Sequence, residues 1–337
     1  MNRNRLATFW DRYGTLCILV IIVALFSALS PTIFTKPDNI VQIFVQSSIT
    51  ILIALGEFFA ILIAGIDLSV GSILALTGMI TGKLMVGGVH PFFAVLIGGI
   101  FIGIVLGAVN GLLVNFTGLH PFIITLGTNA IFRGVTLIIS GANPVFGFPY
   151  GFITALTGNI WFVPAPVVLA LAVALILWFV TAKTRLGRNI YALGGNREAA
   201  YFSGIDVKLH TLIVFMISGI CSGLSGVLSA ARLGAAEPAA GQGFETFAIA
   251  SAIIGGTSFF GGKGRIPSVV IGGLIIGTIS NGLNMLQIQT FYQLVVMGSL
   301  IIAAVSLDRL IGQARWVVGV AKRRCCNSDL SLPRLQC

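Results

Sequence analysis

Charge is what this sequence has least of. Only 9% of its 337 residues are Asp, Glu, Lys or Arg, and ten of them are acidic. An ordinary soluble domain has about a quarter of its residues charged, so a water-facing surface of normal extent is excluded. Histidine is nearly absent: His90, His120 and His210 lie apart, at the ends of apolar runs. No Ser/His/Asp set can be assembled from them, and an enzyme active site is not expected. Five cysteines are too few and too scattered for a disulfide framework. Cys17 and Cys221 fall within apolar runs, and Cys325, Cys326 and Cys337 sit in the tail without a second ligand pair. No metal site is expected.

What the chain has is apolar length. It is 56% hydrophobic, with a mean hydropathy of +1.02, and many of its runs approach the roughly 20 residues that span a bilayer. We read ten such segments, near 15–34, 41–65, 69–87, 91–114, 121–140, 164–182, 211–231, 246–261, 266–286 and 291–311. The expected fold is an all-α integral membrane protein. Residues 1–312 form the transmembrane domain, and 313–337 a basic cytoplasmic tail without fixed structure. The net charge of +10 does not point to nucleic acid, because the basic residues cluster at segment ends. With the amino terminus inside, sixteen of the twenty Lys and Arg face the cytoplasm. The positive-inside rule then puts both termini there. Segments 141–163 and 233–247 become outer loops. The first has no Lys or Arg but carries Tyr150, Trp161 and several Phe, which suits the outer bilayer interface.

The run IGGIFIGIVLGAVNGLL (97–113) resembles IGGLIIGTISNGLNML (271–286). The copies lie five segments apart, an odd offset, so the halves are expected to be inverted repeats of five plus five. Gly99, Gly103, Gly107 and Gly111 make a small stripe for close helix packing. The segment GTSFFGGKG (256–264) approaches a P-loop. However, one residue too many precedes Lys263, and Gly264 stands where Ser or Thr should be. We read it as a glycine-rich turn that binds no ATP.

The longest polar stretch between the first span and the tail is TRLGRNIYALGGNREAAYFSGIDVKLH, 184–210. Asn196 can cap a helix, Glu198 suits its first turn and Gly204 the position past its end. This predicts about two helical turns with a small face, Ala199 and Ala200, beside Tyr201 and Phe202. Such a helix persists only if packed. Its own membrane domain and another protein are both open as supports.

Within the bilayer, Asp67 in GIDLSVGS lies at a break marked by Gly65, Ser69 and Gly71, as a cap for the next helix or an organiser of a discontinuous one. Glu57 and Arg133 lie about 12 and 18 Å from the cytoplasmic ends of their spans. They could pair, line a polar pathway, or be solvated separately. Asn110, Asn129 and Asn281 are further pathway candidates, with bridging between helices as the alternative.

The motifs GIDLSVGSILAL (65–76), NGLLVNFTGLHPFIITLGTNAIFRG (110–134), TRLGRNIYALGGNREAAYFSGI (184–205) and IIGGTSFFGGKG (253–264) together resemble the ribose/xylose/galactose-type permeases of bacterial ABC importers, over about residues 10–312. The wording of segments such as FFAILIAGIDLSVGS is similar to the D-allose branch. The resemblance implies a permease dimer in the inner membrane, fed by a periplasmic sugar-binding protein. A cytoplasmic ABC ATPase, holding ATP and Mg, would drive it, and this chain would bind no cofactor. It also implies that Asn196, Arg197, Glu198, Ala199, Ala200, Tyr201, Phe202 and Gly204 carry the helix that docks on the ATPase. Glu57 departs from the family's usual apolar residue, and the sequence after Gly312 matches nothing in it. An ion-coupled sugar carrier is the alternative; it needs intramembrane carboxylates, which Glu57 and Asp67 could supply.

Overall fold

The computed structural model describes residues 3–289, 291–303 and 305–306, with side chains from Tyr13 onward. The tail 313–337 and the end of the tenth expected segment lie outside the described residues. The helices are α1 (Arg3–Leu29), α2 (Pro37–Leu62), α3 (Val70–Val86), α4 (Pro91–Ala94), α5 (Ile102–Thr117), α6 (Pro121–Ser140), α7 (Tyr150–Thr157), α8 (Ala165–Lys183), α9 (Arg185–Gly195), α10 (Arg197–Phe202), α11 (Val207–Leu233), α12 (Phe244–Ile254) and α13 (Ile266–Met285). A further apolar helix, α14, runs Phe291–Ala303. A π-helical stretch, Val95–Phe101, joins α4 to α5 in one continuous rod. The described strands are β1 (Asn159–Ile160) and β2 (Val163–Pro164), a minimal antiparallel hairpin.

Among the described residues, six helices are long and apolar enough to cross a membrane, and four shorter apolar ones bring the total to the ten expected segments. Proline sets several starts, as its fixed φ and missing N–H allow. Two of these starts share the sequence His-Pro-Phe. In each, the histidine Nδ1 accepts the phenylalanine N–H at 3.3 Å, His90 from Phe92 and His120 from Phe122. These histidines are therefore helix caps. One expected segment is shorter than predicted: 246–261 is helical only to Ile254, where Gly255 and Gly256 end it.

The centre of the bundle is α2, packed antiparallel to α11 and buried over most of its length. The glycine stripe of the π-stretch and α5 lies against α11. A Cβ on Gly103 would stand 2.5 Å from the Gly219 carbonyl, and one on Gly107 2.1 Å from the Phe215 carbonyl. The second copy of the repeat exchanges these partners. Gly98 abuts Thr81 of α3 and Gly99 Val227 of α11, whereas Gly272 abuts Ser251 of α12 and Gly273 Ile51 of α2. Helices α3 and α11 of the first case thus become α12 and α2 of the second. An internal two-fold relating the halves requires that exchange.

Candidate functional site: a break inside the bundle and the helices that reach it

After α2 the chain does not turn back at the bundle's end. Ala64 takes a positive φ of 59°, and residues 65–69 then climb along α6. Gly65 rests on Pro121, the first residue of α6, and Thr125 Oγ1 donates to the Ile66 carbonyl at 2.9 Å. Arg133, twelve residues beyond Pro121, reaches the Gly71 carbonyl at 3.4 Å. At 1.5 Å per residue that climb is about 18 Å, so α3 starts deep inside the bundle.

The other half repeats the device from the opposite end. After α11, residues 234–243 fold back inward and α12 begins at Phe244. A Cβ on Gly71 would lie 2.2 Å from the Gly241 carbonyl and 2.8 Å from Glu245 Oε2. The two half-helices therefore meet start to start, each presenting its positive end. Arg133 fastens them: its Nη1 donates to the Pro238 and Ala240 carbonyls at 2.7 and 2.8 Å, and its Nη2 to Gly71 of the other half.

A second polar knot lies beside this junction. Asp67 Oδ1 accepts from the Ser69 N–H and hydroxyl at 3.0 and 2.6 Å, and its Oδ2 from the Ser218 hydroxyl of α11 at 2.7 Å. Glu57 Oε1 accepts the Asp67 N–H at 3.1 Å. Asn110 Nδ2 donates to the Ser69 hydroxyl at 2.7 Å. Glu57, Asp67, Ser69 and Asn110 are all fully buried. Burial without hydrogen bonds would cost each group several kcal/mol, so the knot holds the broken segment in place.

Set against the sequence reading, Gly65, Asp67, Ser69, Gly71, Glu57, Asn110 and Arg133 converge here. Two open alternatives are decided and one expectation is corrected. Glu57 and Arg133 do not pair, because the guanidinium is spent on backbone carbonyls and Glu57 on the Asp67 amide. Asp67 does not cap α3: the cap position is Ser69, and the Asp67 carboxylate instead ties the break to α11. The stretch 233–247 is not a simple external loop, since Gly241 and Glu245 reach Gly71. Asn281 lies elsewhere, with its Nδ2 donating to Asn39 Oδ1 at 3.0 Å as a bridge from α13 to α2. Asn129 is half-buried on α6. Sequence reasoning missed Glu245, Gly241 and Ser218. Their signal was the acidic residue one place inside a helix that starts at the Phe of GQGF, a likeness to the SVG that opens α3.

At the end of the bundle that holds Leu62, α9 and α10 form the 184–210 segment. Thr184 Oγ1 accepts from the Gly187 N–H at 3.2 Å and Asn196 Oδ1 from the Ala199 N–H at 2.9 Å, capping the two helices. Gly204 follows α10 with a φ of 82°. Ala200 is only 4% exposed, so it seats α10 on its own chain, one of the two supports the sequence left open. Tyr201 and Phe202 are 66% and 84% exposed. Next to them α9 wedges between two backbones. A Cβ on Gly194 would stand 1.8 Å from the Leu62 carbonyl and 2.7 Å from the Gly262 nitrogen. The Gly262 N–H itself donates to Leu62 O at 2.8 Å. The Tyr191 hydroxyl donates to the Gly264 carbonyl at 2.8 Å. Burial raises that phenol above its ordinary range, with the Arg265 charge pulling partly the other way. The turn at 256–264 thus uses its backbone groups on the neighbouring helices α2 and α9. Among the described residues, no group of His, Cys, Asp and Glu is arranged to hold a metal ion.

A bundle of apolar helices in two interlocked halves, each with a half-helix starting inside, is a multi-span membrane permease. Residues 39–305 match the family described as the permease component of the branched-chain amino acid transport system, and the chain belongs to it. It is 70% identical over 307 residues to the D-allose transport system permease protein AlsC of Escherichia coli (strain K12), covering 91% of this chain and 94% of that one. The ribose import permease protein RbsC of Bacillus subtilis (strain 168) is 44% identical over 301 residues, 89% of this chain and 93% of that one. The galactose/methyl galactoside import permease protein MglC of E. coli (strain K12) is 34% identical over 331 residues, 92% and 97% of the two chains. No solved structure matches the chain. Like these relatives, the chain is a transport subunit, the permease of an ABC sugar importer, and not an enzyme.

Proposed function

We propose that this permease carries D-allose, or a monosaccharide close to it, across the bacterial inner membrane, as half of a homodimer with both termini in the cytoplasm. A periplasmic binding protein delivers the sugar, and a cytoplasmic ABC ATPase holding ATP and Mg supplies the work. The observation that carries the mechanism is the wedge of α9 against α2. Arg197, Glu198, Ala199, Tyr201 and Phe202 present the outward face of α10, while Asn196, Ala200 and Gly204 cap, seat and end it. A push on Tyr201 and Phe202 passes through Gly194 to Leu62, three residues before the break at Gly65. The break then reorients α3, and through Arg133 also α12, so both half-helices move together. Glu57, Asn110 and Arg133 serve that motion as positioning residues. The half-buried Asn129, without a hydrogen-bond partner among the described residues, faces the pathway, and Asn281 acts as a helix bridge.

Reconstituted vesicles with the ATPase and binding protein should take up labelled D-allose on ATP addition, with no ion gradient. Uptake that needed a proton or sodium gradient and ignored ATP would replace this reading with an ion-coupled carrier.

A further inference from the structure

At the hairpin end of the bundle, between the start of α2, the end of α11 and β1, lies a cavity of about 520 Å³. Small-molecule sites typically occupy about 300–1,000 Å³. Its polar groups are Gln42 of α2, Thr157, Asn159 of β1 and Arg232 of α11, above an apolar floor that includes Ile49 and Leu228. Arg232 is exposed and has no hydrogen-bond or ion-pair partner among the described residues. None of the described lining residues is acidic and none is aromatic.

That lining selects a ligand class. A guanidinium offers five donors in a planar fork, and an amide both donates and accepts. Gln42, Asn159 and Arg232 therefore suit a molecule with several hydroxyls of mixed polarity, and the aliphatic floor suits its C–H face. A doubly charged sugar phosphate would meet a single cation and would have to shed much of its hydration. With no aromatic plate to stack on, affinity should be weak, on the order of millimolar. Weak binding suits a site that has to pass its cargo onward. We propose that this cavity is where a neutral monosaccharide first rests on the permease, with Arg232, Gln42 and Asn159 as its hydroxyl partners. The proposal rests on the sugar-transport reading given above.

The test uses the full-length permease with its ATPase in lipid nanodiscs, without the binding protein. Saturation-transfer NMR with D-allose, D-ribose and D-galactose should show contact with at least one of them at millimolar concentrations, and none with ribose 5-phosphate. Arg232→Ala, Gln42→Ala and Asn159→Ala should each weaken that contact about tenfold, as expected for one lost hydrogen bond or slightly more. Asn159 lies on an exposed hairpin, so its variant tests the site even if Arg232→Ala fails to insert. Unchanged contact in Asn159→Ala and Gln42→Ala would overturn the proposal. So would a phospholipid retained by the wild type and lost from Arg232→Ala, with no sugar contact in either. ATP-driven uptake is measured in parallel. Wild-type uptake together with variants that bind normally would reject the cavity and leave the transport reading intact. No uptake of any sugar would reject the transport reading, while the NMR would still decide the cavity.

Discussion

Replacing Gly194 by alanine is the sharpest test of the α9 wedge. The new methyl would lie 1.8 Å from the Leu62 carbonyl, where ordinary contact begins at 3.4 Å. One backbone must therefore retreat by about 1.6 Å, the difference between those distances. The retreat breaks or stretches the Gly262 N–H to Leu62 bond, now 2.8 Å. Overpacking of this kind costs about 1–3 kcal/mol, and the buried hydrogen bond about 1 kcal/mol more. At about 1.4 kcal/mol per tenfold, the docked junction should become about 30-fold less populated or worse. The neighbouring Gly195 is the control: a Cβ there meets nothing within 4 Å. Gly195→Ala should be neutral or stabilising by a few tenths of a kcal/mol, because it removes freedom from the unfolded chain. Hydrogen exchange at the Gly262 amide and ATP-driven uptake are measured in both variants. Gly194→Ala should exchange faster and transport poorly, while Gly195→Ala should match the wild type. Equal behaviour of the two would refute the wedge.

Three further outcomes follow from the same geometry. Because Glu57 and Arg133 bind different partners, Glu57→Gln and Arg133→Gln should act additively to within about 0.5 kcal/mol, and a rescue in the double mutant would contradict their separation. Tyr191→Phe should cost about 0.5–1.5 kcal/mol through the lost bond to Gly264. The raised Tyr191 phenol also ties stability to pH: the folded form keeps its proton longer, so its contribution is intact below the ordinary tyrosine range near 10 and is lost as pH rises through the folded value. Alkaline melting should therefore be less steep in Tyr191→Phe. Phe202→Asp, at an 84% exposed position, should leave membrane levels normal yet abolish co-purification of the ATPase, and retained ATPase would remove α10 as the docking contact.

The sequence alone was enough to settle several features. Ten apolar segments, the paired IGG motifs and the Asn196–Gly204 helix signals were legible because each is local: span length, glycine spacing and capping chemistry act within a few residues. The repeat even implied that the halves would be inverted. Depth was not legible. Hydropathy counts apolar residues but not where in the bundle a helix starts, so α3 and α12 read as ordinary spans and Gly241–Glu245 as part of a loop. Their meeting depends on Gly71 and Gly241, which are 170 residues apart, approaching at backbone distance. Partner choice was likewise out of reach. Arg133 had a carboxylate at similar depth to tempt a pairing, yet three carbonyls left open by the broken segments satisfied it first. What Ala200 packs against stayed open because a six-residue helix carries too little periodicity to show which side it buries. A hydrogen bond or a close contact is decided by which backbone groups the tertiary fold leaves unpaired nearby, and only the packed bundle determines that.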